Sequence, residues 1–172
     1  MTQPKRGEPF NLIITLRTDK NCYAVLVDEE ELRYLPIIVT DPHLNILEKI
    51  LALPQKERNL GLQDLGVISS FCHLLDMLGC QTNRIVIQWA EDGKSFDCHM
   101  EIFQGNEVDT CFLSLPIPLF EAPIIASVTY AMFHLFETTN KPIALSLDPK
   151  ILADKDIKEA VVYDIMKREQ AL

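Results

Sequence analysis

The sequence predicts an α+β fold, a mainly antiparallel sheet with packed helices, on three observations. Short β-rich runs bounded by turn signals alternate with longer runs of helical periodicity. In mid-chain, Arg84 to Trp89 and Phe96 to Phe103 flank Glu91-Asp92-Gly93-Lys94; Asp-Gly between alternating apolar runs is a strong short-range hairpin signal. Finally, two stretches echo each other. Tyr34-Leu35-Pro36-Ile37-Ile38-Val39-Thr40-Asp41-Pro42 and Leu115-Pro116-Ile117-Pro118-Leu119-Phe120-Glu121-Ala122-Pro123 each run through Leu-Pro-Ile to an acid and a helix-opening proline. The echo predicts an internal duplication of a strand–strand–helix unit within a single domain, 1–172. The half-repeats fall at 10–79 and 84–153, with a C-terminal helix over 154–172. Prolines inside strands are tolerated chiefly at edges or bulges, so the paired Leu-Pro-Ile runs predict a shared local geometry.

The elements follow in order. Phe10 to Leu16, Cys22 to Val27 and Arg33 to Val39 read as a three-stranded meander, turned by Thr18-Asp19-Lys20-Asn21 and by the acidic stretch Asp28 to Glu31. Asp41-Pro42 opens a helix, with Asp at the N-cap and Pro at the first helical position. Leu44, Leu47, Ile50 and Leu51 form its buried stripe, and Pro54 ends it. Asn59 to Leu65 is a connector containing Gly61. A second helix, Val67 to Leu78, places Ile68, Phe71, Leu74, Leu75 and Leu78 on one side and stops at Gly79. After the hairpin, Gly105-Asn106 turns the chain into a strand over Asp109 to Ile117. Pro123 opens a third helix through Phe136, Ile143 to Leu147 is a short last strand, and Asp154 caps the final helix, with Ile157, Val161 and Ile165 on one side. The Pro123 helix is apolar in nearly all directions. Such a helix must be buried on every side, which predicts a central core helix or, preferably, one completed by a second subunit.

Composition narrows the function classes. A chain of 172 residues, 48% hydrophobic and 24% charged, suits one globular core without disulfides or metals. The start, Met1 to Pro9, is polar with no apolar core behind it, and Pro123 to Phe136 falls short of the roughly 20 apolar residues of a spanning helix. The expectation is a soluble, cytoplasmic protein with no membrane role. The five cysteines, Cys22, Cys72, Cys80, Cys98 and Cys111, are scattered and never spaced as C-x-x-C, which predicts reduced, mostly buried thiols. Cys98 and His99 on one strand point to opposite faces and make poor co-ligands; Cys72 with His73 is the other such pair. The net charge of −9, with dispersed basic residues beyond Lys5-Arg6 and Lys167-Arg168, disfavours phosphate-backbone binding, a local basic patch aside.

The order of motifs resembles the bifunctional nuclease family, a bacterial and plant domain. The residues that carry the likeness are Arg33-Tyr34-Leu35-Pro36-Ile37 and the following helix, then Val67 to Leu78 with Gly79-Cys80. Arg84-Ile85-Val86-Ile87, Asp92-Gly93-Lys94-Ser95-Phe96, Lys141-Pro142-Ile143 and Ile151-Leu152 continue it. The likeness runs from Asn11 to Ala153. It implies an α+β fold with internal duplication and self-association into dimers or larger forms. The family's Arg-Pro-Ser-Asp-Ala element is lost: around Pro123 stand Ala122, Ile124 and Ile125, and the other register gives Ser127-Val128-Thr129-Tyr130-Ala131. Its Thr-His-Asp stretch is missing as well, with Val67-Ile68-Ser69 in its place and Asp64 close only across a gap.

A nuclease of this kind needs converging carboxylates to hold Mg²⁺ or Mn²⁺. The candidates are Asp41 and Glu121, which the echo places at related positions, although acids at helix N-termini are ordinarily caps or dipole partners. Asp64 sits in a connector, and Asp76 lies on a polar helix face one turn after His73. His134 reads as a core or interface histidine and His43 as a solvated first-turn residue. Trp89 and Phe96 read as a cross-strand aromatic pair before a stacking platform. Neither a G-x-S-x-G elbow nor a glycine-rich phosphate loop is present. The sequence therefore assigns no catalytic or cofactor residue and no metal ligand. It predicts a diverged, non-catalytic oligomer acting through protein or ligand contacts, with a divalent-metal-dependent nuclease as the alternative.

Overall fold

The computed structural model describes residues 9–10, 12–28, 33–54, 57–58, 66–105, 110–137 and 140–146, and the single positions 157, 159, 163 and 167. Asp64, Gly61, Asp109, Asp154, Val161 and Ile165 lie outside the described residues. The elements run β1 (Pro9–Phe10), β2 (Leu12–Arg17), β3 (Cys22–Asp28), β4 (Arg33–Val39), α1 (Asp41–Ala52), α2 (Val67–Met77), β5 (Cys80–Trp89), β6 (Phe96–Gly105), β7 (Thr110–Pro116), α3 (Ala122–Thr129), β8 (Met132–Phe136) and β9 (Leu145–Ser146). The fold is a mixture of helices with two sheets. One sheet has the order β2-β3-β4-β9 and the other β1-β8-β5-β6-β7. Neighbouring strands are antiparallel except β5 and β8, which pair in parallel from Arg84↔Met132 to Gln88↔Phe136.

Period-two patterning sets the faces of the first sheet. Ala24, Leu26, Leu35 and Ile37 enter the main core, while Ile14, Val25, Val27 and Tyr34 form a second cluster on the far face with Ile157. Both Leu-Pro-Ile prolines meet an open strand edge. Pro36 faces Val25 on β3, but β9 reaches only Arg33 and Tyr34 on the other side. Pro116 ends β7, the last strand of its sheet. A proline with no ladder partner on one side forfeits no hydrogen bond there.

Thr40, not Asp41, is the N-cap of α1: its Oγ1 accepts from the His43 backbone N–H at 3.4 Å, and Asp41 and Pro42 are the first helical residues. Of the expected stripe, Leu44, Leu47 and Ile50 are buried, each side chain being worth about 1.5–3 kcal/mol of transfer free energy, and Leu51 is partly buried against the same core. The stripe assigned to α2 is corrected. Leu75 is buried and Ile68 and Phe71 are partly buried against the main core, but Leu74 and Leu78 are each 52% exposed, with α2 packing on β5 and α3. Gly79, at φ 66°, terminates α2 as anticipated. In the β5–β6 hairpin, Asp92 Oδ1 accepts from the Lys94 and Ser95 backbone N–H groups at 2.8 and 3.2 Å, and Gly93 takes φ 65°.

The helix expected over Pro123 to Phe136 is also corrected. It ends at Thr129; Tyr130 takes the left-handed conformation, φ 60° and ψ 19°, and the chain leaves as strand β8. Along β8, Phe133 and Leu135 are buried while Met132, His134 and Phe136 are not, an alternation that β5 stabilises by parallel pairing. Residues Ala122 to Val128 of α3 are all buried within this one chain, against α1, α2 and β5. The all-round apolar surface is thus covered without a second subunit, contrary to the preferred sequence expectation.

Tyr130 is the only non-glycine residue with positive φ among those described. That conformation costs an L-residue roughly 1–2 kcal/mol. Tyr130→Gly is therefore expected to be more stable than Tyr130→Ala by about 1 kcal/mol in urea unfolding, reversing the usual order in which alanine is the more stable. An advantage for alanine would show that the residue carries no backbone strain.

Candidate functional site

The carboxylates proposed as metal ligands are placed apart in role. Asp41 lies exposed at the start of α1 and pairs with Arg17 of β2; Asn45 Nδ2 donates to its Oδ2 at 3.2 Å. Arg17 also donates to Asn45 Oδ1 at 2.6 Å and Glu48 Oε2 at 3.0 Å, so one guanidinium ties β2 to the exposed side of α1. Glu121 is the N-terminal flanking residue of α3 and makes no side-chain cap. Among the described residues, no group of three or more His, Cys, Asp or Glu is arranged to hold a metal ion. His43 is corrected from a solvated residue to a contact residue. Its Nδ1 meets Thr40 Oγ1, and its ring stands edge-on to Phe120 with centroids 5.0 Å apart.

The outward face of the five-stranded sheet gathers the remaining expected polar residues. His134, corrected from helix to strand β8, and His99 of β6 flank buried Val86 in register. Cys98 is buried on the opposite face, as the alternation requires. Beside the histidines, Arg84 Nη2 donates to Glu101 Oε1 at 3.2 Å, its Nε bonds Oε2, and the guanidinium lies 5.3 Å from the Phe136 ring centroid. The Arg84 hydrogen bond holds the Glu101 carboxyl below its ordinary range against partial desolvation. The charges of Arg84, His99 and His134 act in the same direction as that bond. Trp89 and Phe96 form the expected cross-strand pair, centroids 4.4 Å apart. Trp89 Nε1 also donates to the Lys141 carbonyl at 3.2 Å, while the Lys141 ammonium sits 4.9 Å from its ring, which leaves little free aromatic face.

The concave surface lies elsewhere, on both sides of Tyr130. A cleft of about 1020 Å³ is walled by Leu12, Ile13, Ile14 and Thr15 of β2, by Glu48, Leu51 and Ala52 at the end of α1, and by the α3–β8 junction from Ala126 to Phe133. Arg58 and Lys167 complete it. A smaller cleft of about 450 Å³ takes Cys72, His73 and Asp76 from α2, Cys80, Gln81 and Thr82 from β5, and Val128 to Tyr130. Tyr130 lines both. A residue held in a costly backbone conformation at the junction of two clefts is where function is most often found. Its position was illegible because no glycine or proline marks the break, and Arg58 and Lys167 had no local motif.

The Cys72 thiol of the smaller cleft is muted. Burial pushes Cys72 up to about 11, and in the core it pushes Cys98 up to about 12. At neutral pH Cys72 therefore holds about a hundredth of the thiolate it would have at its ordinary value of 9.0, which makes it a poor nucleophile despite lining a cleft. No family model matches the chain, and no curated protein matches its sequence.

The Arg84–Glu101 pair predicts a specific acid response. Because the folded carboxyl is depressed, its contribution is complete above the ordinary value of 4.5 and is lost as pH falls through the depressed folded value. Arg84→Met is expected to be less stable than the parent at neutral pH, where the Glu101 carboxyl is ionised. The two should converge on titration toward pH 3, followed by urea unfolding at each pH. A difference that is independent of pH throughout would assign the loss to packing on Phe136.

Proposed function

We propose that this chain is a diverged, non-catalytic protein of bifunctional-nuclease-like fold that acts by binding a ligand or protein segment in the cleft beside Tyr130. The observation that carries the reading is that cleft: about 1020 Å³, in the range of binding sites, walled by residues of β1, β2, α1, α3 and β8 and bordered by a strained residue. The engagement of Asp41 by Arg17 favours binding over divalent-metal nuclease chemistry, as do Ala122, Ile124 and Ile125 in place of the family's Arg-Ser-Asp element. We also read the two meander–helix units, β2-β3-β4-α1 and β5-β6-β7-α3, as products of a duplication. The support is their common order and the open-edge proline in each. Self-association belongs to the same reading, supported by Phe112 and Leu113 of edge strand β7, which are 71% and 46% exposed. The free thiols of Cys22, Cys72, Cys80, Cys98 and Cys111 support a reducing, cytoplasmic setting. Among the described residues no helix is long and apolar enough to cross a membrane.

Two measurements test this. With 2-propanol as an organic probe, methyl NMR is expected to show shifts at Leu12, Ile13 and Leu51 that vanish in Ala52→Trp, where an exposed lining position is filled. Shifts spread evenly over the surface would remove the site. The purified protein is also expected to leave labelled DNA and RNA intact with Mg²⁺ or Mn²⁺. Metal-dependent cleavage lost in the Asp41→Asn/Glu121→Gln double variant would overturn the non-catalytic assignment.

A further inference from the structure

We propose that the larger cleft receives an extended, acidic peptide segment, which adds as a strand to the open edge of β2; this rests on the cleft being a binding site. Leu12, Ile13, Ile14 and Thr15 are consecutive and all line the cleft. Successive side chains of a strand point to opposite faces, so a wall made of four in a row is the edge of the strand, not a face. The topology agrees. β2 stands first in the order β2-β3-β4-β9 and pairs with β3 from Leu12↔Val27 to Arg17↔Cys22, and among the described residues its other edge carries no strand. On that side every second residue directs its backbone N–H and C=O outward, toward the cleft.

Two cations, Arg58 and Lys167, line the cleft against one acid, Glu48, and Arg17 already donates to Glu48 at 3.0 Å. Arg58 Nε donates to the Leu53 carbonyl at 3.4 Å, and among the described residues neither Arg58 nor Lys167 pairs with a carboxylate. A locally positive cleft in a chain of net charge −9 selects an acidic occupant. Apolar side chains on alternate positions of that segment meet Leu51 on one face of β2 and Ile14 on the other. A small amphipathic anion would satisfy the cations and the apolar walls but would leave the outward amides of β2 unaddressed. Strand addition satisfies all three.

The test uses fluorescence anisotropy with the full chain. The probe is a labelled peptide of about eight residues, alternating Val and Thr and ending Asp-Glu, long enough to span the roughly 20 Å of β2. It is expected to bind, to bind about tenfold or more weakly to Arg58→Glu/Lys167→Glu, and to lose binding to Ala52→Trp. That double variant is expected to prefer the same peptide ending Lys-Lys. Methylating alternate peptide nitrogens, which leaves the protein untouched, should abolish binding in one of the two registers. Equal binding of both methylated peptides would overturn strand addition. If no peptide binds while 2-propanol still marks Leu12, Ile13 and Leu51, the binding site stands and the strand-addition inference falls. If both fail, both readings fall.

Discussion

Helix α3 imposes the constraint around which the other elements are arranged, because every residue from Ala122 to Val128 is removed from water. A helix with no polar face needs a packed surface in every direction. It finds α1 and α2 among its neighbours and the inner face of β5 behind it, while the main core joins it to Leu26 and Leu35 of the other sheet. Its hydroxyls need nothing from outside. Ser127 donates to the Pro123 carbonyl and Thr129 to the Ile125 carbonyl, each at 2.7 Å, so burial leaves no orphaned donor on either. With α3 seated, both sheets must present apolar faces inward, and the polar residues of the five-stranded sheet are forced to its outer face.

The end of α3 connects this packing to the cleft. The chain has to turn from a buried helix into a strand parallel to β5 with two residues, Tyr130 and Ala131, between them. A left-handed residue makes so tight a reversal possible, at a cost the surrounding packing offsets. β8 then enters between β5 and β1, but β1 pairs only with Phe133 and His134. Among the described residues Met132 has no partner in β1, and β1 and β2, which follow one another in the chain, belong to different sheets. The larger cleft is the space between these diverging strands. It is lined by Leu12 to Thr15 of β2 and by Met132 and Phe133 of β8, with Tyr130 at the reversal.

The arginines serve as ties between elements, which explains why so few charges are available for chemistry. Arg17 joins β2 to α1, and Arg84 joins β5 to β6. Arg33 reaches Glu137, whose other oxygen accepts from the Ile143 and Ala144 backbone N–H groups at 2.7 and 3.2 Å, fixing the return toward β9. Asp41, read from sequence as a candidate metal ligand, belongs to the first of these ties. Arg58 and Lys167 differ in lying at a concave surface with no such role among the described residues.

Local order was legible in the sequence wherever the signal was local. The meander of β2, β3 and β4, the proline-opened α1, the glycine stop at Gly79 and the Asp-Gly hairpin each depend on residues within a few positions of one another. The same holds for the Trp89–Phe96 pair and the opposite faces of Cys98 and His99, which need only the hairpin register and the strand period. The break at Tyr130 was not legible, because Ile124 to Phe136 is apolar at both helical and strand periods and the parallel partner that decides the matter, β5, lies nearly fifty residues earlier, Arg84 pairing with Met132. The cleft was out of reach for the same reason: it is made of the β2 edge, the α1 terminus and the α3–β8 junction, far apart in the chain. Sequence determined the elements whose signals are local, the meander, α1, the stop of α2 and the β5–β6 hairpin, since these depend on neighbours. Tertiary structure alone decided the strand order of the two sheets and which strands stand at their edges among the described residues, since that order is set by partners far apart in the chain.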